Sequence, residues 1–277
     1  KLLKNLDKIE KVTIEPYGGF GNNLQQIALA IMFSKKYKKN FFLKKHPIVK
    51  NFKLKFNEEI ADFTISNTKS RFFYFGSDEL IKYRIDPPLK INDKDYYLNN
   101  FSYVFKTFIK PQIIFLKDQQ LSENMLVIHI RNYEGHPDYA QNPISYYKYL
   151  NDKFDEILFV TDNPETFIFT ELKKFMNFEI QSSTLENDFN TLYSAKNLAS
   201  SGVGTFIIAA ALLSENLNHF FYSNLFLKRG LNPTMLSQNV DKTQIFFNDF
   251  LEFGRWKDIK SVENFLSKEI CFTIKNN

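Results

Sequence analysis

Two large polar side chains stand at the end of a short apolar run, Val127-Ile128-His129-Ile130-Arg131-Asn132. In an extended chain alternate residues face opposite sides, so Ile128 and Ile130 share one face and His129 and Arg131 the other. An imidazole and a guanidinium leaving the tip of a buried strand together are costly unless something there uses them. A diphosphate is such a group. Arginine offers phosphate oxygens a rigid fork of donors, and its charge gains value as a leaving group becomes more negative. The alternative keeps both residues structural, with His129 a core histidine bonded to backbone and Arg131 half of an ion pair.

Three other segments could do chemistry. Gly18-Gly19-Phe20-Gly21-Asn22-Asn23 lies between an apolar triplet and an amphipathic run. It lacks the third glycine of a dinucleotide fingerprint and the Gly-Lys-Ser/Thr of a Walker loop. Two readings stand: backbone softened for close approach of an anion to a helix N-terminus, or a tight turn with no ligand. Phe159-Val160-Thr161-Asp162-Asn163-Pro164 ends a strand on an acid. Asp162 either caps the helix that follows or offers its carboxylate to the N1 and N2 hydrogens of guanine. Asn187-Asp188-Phe189 and, after it, Ser200-Ser201-Gly202-Val203-Gly204-Thr205-Phe206 supply a further acid and a Ser/Gly loop running into an apolar helix. That loop is either an anion cradle or a flexible lead into a buried helix.

The elements that must position these residues follow from periodicity. Val12-Thr13-Ile14 reads as a strand, and Leu24 to Lys36 as a helix burying Leu24, Ile27, Ala28, Ile31 and Met32. Between about 40 and 115 the aromatic-rich segments give no readable period. From Leu126 onward, apolar strands at 126–130, 156–161, 178–181, 197–200 and 219–222 alternate with helical stretches at 143–152, 164–176, 187–195 and 205–215. Such alternation predicts an α/β fold whose second half is a parallel sheet with helices on both faces, binding ligands at its strand C-termini. Lys110-Pro111 and the polar run from Lys117 to Asn124 interrupt the pattern. They place an N-terminal α/β domain at 1–118 and a C-terminal Rossmann-like domain at 119–277.

Taken in order, these segments resemble the fucosyltransferases, especially the bacterial α-1,2 type. That family is marked by a G-G-x-G-N-Q loop, H-x-R-R-G-D on a strand, a Pro-x-x-Tyr-Tyr segment, a strand ending in Ser-Asp-Asp, and a late S-T-F-S-W-W-A-A helix. The corresponding residues here are Gly18 to Asn23, His129-Ile130-Arg131, Pro143-Ile144-Ser145-Tyr146-Tyr147, Thr161-Asp162-Asn163, and Gly204-Thr205-Phe206-Ile207-Ile208-Ala209-Ala210. The match covers residues 12–36 and 126–213. Asn132 stands where the family has its second Arg, and Tyr133-Glu134 replaces Gly-Asp. Protein O-fucosyltransferases also work with one Arg.

The resemblance implies two Rossmann-like halves of the GT-B type, with acceptor on the N-terminal half and donor on the C-terminal half. It implies an inverting, metal-independent transfer of a sugar from GDP-fucose to a glycan hydroxyl; another nucleotide sugar is the alternative donor. On that view Arg131 stabilises the departing β-phosphate, and His129 with Gly19, Gly21 and Asn22 holds donor phosphate or sugar. Asp162 or Asp188 reads guanine or ribose, and Ser200, Thr205 and Phe206 line the diphosphate and base pocket. Glu134, His136 and Asp138 are candidate general bases by position alone.

Two rivals belong to other classes. A metal-dependent transferase would use the D-x-D spacing of Asp93-Lys94-Asp95, which otherwise reads as a solvated turn. A glycan- or nucleotide-binding module without catalysis would share the fold and lose motif residues.

Composition narrows the partners. Hydrophobic residues at 44% and aromatics at 17% of 277 residues describe a chain with a large core. Cys271 is the only cysteine, so no intramolecular disulfide forms and a reducing, cytoplasmic setting is expected. The longest apolar stretch, Val203 to Leu213, falls short of the roughly 20 residues that span a bilayer. The chain opens on Lys rather than Met, so a preceding targeting segment stays an open reading. Net charge is +5, and Lys35, Lys36, Lys38, Lys39, Lys44 and Lys45 cluster at the end of the first helical stretch. They either solvate a helix end or attract an anionic substrate or membrane surface. No stripe of Arg with interleaved aromatics suggests nucleic acid.

Overall fold

The computed structural model describes residues 10–16, 18–43, 63–66, 94–131, 141–228, 232–249 and 258–276. The chain divides into two compact units, Lys1–Leu116 with Thr234–Ser237 and Lys117–Pro233 with Gln238–Asn277.

In the first unit, β1 (Lys11–Glu15) is the centre of a three-stranded parallel sheet between β2 (Asn40–Phe41) and β3 (Phe63–Ser66). Helix α1 (Phe20–Lys36) begins four residues before the Leu24 expected from periodicity. The reason lies in the turn. Gly18 has φ +91°, where a Cβ would sit 2.7 Å from the Asn22 amide nitrogen, and Asn23 donates Nδ2 to both Gly18 O at 2.8 Å and Gly19 O at 2.7 Å. Gly21 and Asn22 therefore belong to the first helical turn rather than to a loop. The helix ends with Lys38 at φ 54°, Lys39 N donating to Ser34 O and Lys38 N to Lys35 O, an αL termination that pairs the last carbonyls. Helix α2 (Lys94–Val104) lies against α1, with Tyr96 Oη donating to Met32 O, and continues as a π turn (Phe105–Ile109) and a 3-10 turn (Lys110–Gln112). Lys94 and Asp95 are thus helical where a turn was expected, because the helix starts at Lys94; Asp93 lies outside the described residues.

The second unit carries a seven-stranded sheet built from β4 (Met125–Ile130), β5 (Glu156–Thr161), β6 (Glu179–Gln181), β7 (Asn197–Ser200), β8 (His219–Ser223), β9 (Asp241–Phe247) and β10 (Phe272–Asn276). Their order in the sheet is β10-β9-β8-β7-β4-β5-β6, parallel throughout except for β10, which runs antiparallel to β9 at the edge. Counted from β4, the six parallel strands follow the doubly wound order 3-2-1-4-5-6. Leu126, Ile128, Ile130, Ile157 and Phe159 turn to the face covered by α3 (Ile144–Asn151), α4 (Phe167–Leu172) and α8 (Ile259–Leu266). Helices α5 (Leu185–Ser194) and α6 (Thr205–Leu213) cover the other face; α7 (Asn224–Lys228) follows β8. Strands covered on both faces lose the polar alternation of a half-exposed sheet, which is why β4, β5 and β8 read as continuous apolar runs.

The expected element most shortened is the helix read at 164–176, found at Phe167–Leu172. Helical residues were predicted from 164, yet α4 starts at Phe167 because Asn163 Oδ1 accepts from Glu165 N at 3.0 Å, a side-chain turn that competes with the helix. Asp162 accordingly is not the cap of α4; Thr166 holds that N-cap position.

The core around α3 contains an imperfection that can be tested. Tyr147 is fully buried, and its hydroxyl has no hydrogen-bond partner, while the ring packs on Phe159 and Tyr146. Tyr146, equally buried, donates Oη to Phe221 O at 3.2 Å. Tyr147→Phe is expected to leave urea stability unchanged or raise it by about 1 kcal/mol, and Tyr146→Phe to lower it by about 1 kcal/mol.

Candidate functional site

The sheet order places the candidate residues along one edge. Between β4 and β7 the order reverses, and ligands of doubly wound sheets bind in the crevice beyond the carboxyl ends at that point. His129 pairs in register with Ser200 across β4 and β7. Ile130 pairs with Thr161 across β4 and β5, so Arg131 and Asp162 are the next residues on neighbouring strand ends. Their side chains meet there, with Arg131 Nη1 3.2 Å from Asp162 Oδ2 and about two fifths of each exposed to solvent (39% and 40%). The ion-pair alternative is therefore present, but as an open pair at the rim, not a sealed one. Asp188 sits one strand further out, in the first turn of α5. Its carboxylate accepts from Gln181 Nε2 at 2.8 Å and Ser183 N at 3.2 Å, holding the β6–α5 connection, and burial pushes its pKa up.

At the other side of β4, the chain leaves β7 through Ser200 and Ser201 and turns through Gly202 (φ 122°) and Gly204 (φ 133°) into α6. Ser200 Oγ accepts from Gly202 N, and Ser201 N donates to His129 O. No side chain caps α6, whose N-cap residue is Gly204, so its first amides have neither an intrahelical acceptor nor a capping side chain. Thr205 and Phe206 open the helix half-buried, and the Phe206 ring lies 5.6 Å from the His129 ring and 5.1 Å from that of Phe189. The His129 ring lies directly under Gly204, 3.2 Å from where a Cβ would be. Its Nδ1, and Ser201 Oγ, are buried without a hydrogen-bond partner. Unpaired buried polar atoms at a strand end cost free energy in the folded chain, and such a cost is expected where a ligand completes the bonding.

Burial, with the Arg131 charge beside it, lowers the His129 pKa from 6.5 to about 3. The imidazole is neutral at physiological pH. Because the unfolded chain takes up this proton near pH 6.5 and the folded one near 3, stability is fully present above pH 6.5 and declines as pH falls toward 3. The slope is about 1.4 kcal/mol per pH unit. His129→Gln is expected to flatten that part of the pH dependence of urea unfolding between pH 5 and 7; an unchanged slope in the variant contradicts the assignment.

Gly19, Gly21 and Asn22 are in the first unit: Gly19 is the exposed N-cap of α1 with no side-chain cap, Gly21 is buried, and Asn22 is half-buried in the first turn. The second unit by itself brings together His129, Arg131, Asp162, Ser200, Thr205 and Phe206, with Asp188 at the margin. Glu134, His136 and Asp138 lie outside the described residues. Sequence reasoning passed over Asn142. It is fully buried, donates Nδ2 to Ser200 O at 3.0 Å and its backbone N to Ser201 O at 2.7 Å, and accepts from Ser223 Oγ at 2.5 Å. Asn142 thereby ties the ends of β7 and β8 to the chain leading into α3, and its only signal in the sequence was its place before the Pro143 segment. Among the described residues no group of three or more His, Cys, Asp or Glu side chains is arranged to hold a metal ion, and no helix is long and apolar enough to cross a membrane.

No protein-family model matches this chain, and no curated protein matches it. Among solved structures it is similar to the iron-containing dodecameric glycosyltransferase TibC of enterotoxigenic E. coli. Identity is 11%, coverage is 91% of this chain and 65% of that one, and the TM-score is 0.47. TibC in complex with ADP-D-beta-D-heptose gives 11% identity, 91% and 66% coverage and a TM-score of 0.45. NodZ alpha-1,6-fucosyltransferase soaked with GDP-fucose gives 10% identity, 97% and 99% coverage and a TM-score of 0.37. The chain spans just under two thirds of the length of TibC. Each of these neighbours is a glycosyltransferase.

Proposed function

We propose that this chain is an inverting glycosyltransferase that moves fucose from GDP-fucose to a hydroxyl of a glycan without a metal ion. One observation carries the reading: at the switch point of the second unit's sheet an accessible guanidinium, an uncapped helix N-terminus and two buried, unpartnered polar atoms occur on adjoining strand ends. That set suits a nucleoside diphosphate. In the transfer, an acceptor oxygen attacks the sugar C1 while the bond from C1 to the β-phosphate oxygen breaks, and the electron pair leaves with GDP. Arg131 and the first amides of α6 neutralise the charge that develops on that phosphate. The acceptor proton passes to a base, for which Glu134, His136 and Asp138 are the candidates by position.

Arg131 is held by Asp162, and a diphosphate competes for the same donors. Moving Arg131 to phosphate leaves the Asp162 carboxylate to accept the N1 and N2 hydrogens of guanine. Ser200, Thr205, Phe206 and Asp188, all in the second unit, border the base and ribose. The fucosyl specificity rests on the order of the motifs given above.

A thermal-shift panel of GDP, UDP, CMP and dTDP, followed by assay of GDP release from GDP-fucose with and without EDTA, tests this reading. GDP alone is expected to raise the melting temperature, by the equivalent of about 2.7 kcal/mol at a hundredfold excess over Kd. Release of GDP is expected to be insensitive to EDTA. A shift with another nucleotide moves the donor class, binding with no turnover leaves a binding module, and no shift with any nucleotide removes the proposal.

A further inference from the structure

The first unit carries cationic and aromatic side chains to which the proposed transfer assigns no role. Residues 18–43 contain no Asp or Glu, and the last turn of α1 and its termination present Lys35, Lys36, Lys38 and Lys39. Lys35 Nζ lies 4.0 Å over the Phe108 ring, and Phe108 packs edge-on against Tyr103, a residue 55% exposed. Lys36 Nζ lies over Tyr96 and Tyr37. Lys106 and Lys110 stand on the π and 3-10 turns that carry Phe108. Among the described residues of this unit the only acids are Glu10, Glu15 and Asp95, and no ion pair is formed there by Lys35, Lys38, Lys39 or Lys106. A helix C-terminus presents about half a negative charge, so four lysines exceed what the α1 dipole can balance.

We propose that these side chains seat the protein on a bilayer bearing anionic headgroups. Lysine supplies compact charges on flexible apolar stems that reach toward phosphate, and an exposed tyrosine beside them suits the depth of the headgroups. The cations are all Lys, whereas recognition of nucleic acid favours the flat fork of Arg. The surface goes beyond the transferase reading and does not depend on it.

Co-sedimentation of the full chain with vesicles of phosphatidylcholine, alone or mixed with phosphatidylglycerol, tests the proposal without any nucleotide. The protein is expected to bind the mixed vesicles only, and to be released as salt rises from about 0.1 M to about 1 M. Lys35→Gln, Lys38→Gln and Lys106→Gln are each expected to weaken binding by roughly five-fold and together by about a hundredfold, with melting temperature unchanged. Tyr103→Ser is expected to weaken binding while leaving its salt dependence as it was. No binding to the mixed vesicles, equal binding by the triple variant, or tighter binding to a single-stranded oligonucleotide than to vesicles each overturns it.

Discussion

Arg131→Ala is expected to lower turnover of GDP-fucose by about a hundred- to a thousandfold while the protein stays folded. The two halves of that expectation come from different features. The loss of rate follows from placing a permanent charge where the leaving phosphate becomes more negative. Interactions that strengthen only as the bond breaks act on kcat, so kcat should fall further than KM rises. The retained fold follows from exposure: with 39% and 40% of the two side chains open to water, the Arg131–Asp162 pair is worth at most about 1 kcal/mol. Arg131→Lys keeps the charge and loses the fork, and is expected to recover only part of the rate. Circular dichroism and melting temperature check the fold, and steady-state release of GDP checks the rate. If Arg131 serves only as the partner of Asp162, then Asp162→Asn and Arg131→Ala should act alike. On the present reading Asp162→Asn instead loosens the preference for guanine and leaves phosphate neutralisation in place.

The residues that make up this edge were legible in the sequence to unequal degrees. The strands β4, β5 and β8 were visible because parallel strands buried on both faces are largely apolar runs bounded by helical periods. Alternation likewise put Ile128 and Ile130 in the core and His129 on the opposite face, as found. What the sequence did not show are interactions between residues far apart in the chain. Asn142 reaches Ser200 and Ser223 over separations of 58 and 81 residues, and nothing local distinguishes it from any other asparagine before a proline. The early start of α1 depends on Asn23 turning back to two glycine carbonyls, a short-range bond that helical periodicity does not register. The antiparallel strand β10 lies beyond the alternating pattern, and the segment around α2 mixes α, π and 3-10 turns, whose different periods blur any apolar repeat.

Gly204→Ala is the substitution expected to damage the second unit's site most directly, with a loss of about 2–3 kcal/mol in stability together with weaker nucleotide binding. Backbone and packing act in the same direction here. At φ 133° and ψ 116° the residue occupies a region that side chains other than hydrogen rarely enter. The added methyl would also lie 3.2 Å from both Cε1 and Nδ1 of His129, a ring already fixed by Phe206 on α6 and by the register of β4 with β7. The ring has little room to retreat, since His129 is only 4% exposed. Relief must therefore come from the Gly202–Gly204 turn, which shifts the first amides of α6 away from the end of β4. Urea unfolding measures the first effect, and the thermal shift produced by GDP measures the second. The comparison with Arg131→Ala separates two kinds of failure. Loss of the guanidinium removes charge from an intact crevice, whereas loss of Gly204 displaces the helix end that lines it. Stability should fall only in the second case. A Gly204→Ala protein with wild-type stability and an unchanged response to GDP would show that the α6 N-terminus does not border the nucleotide.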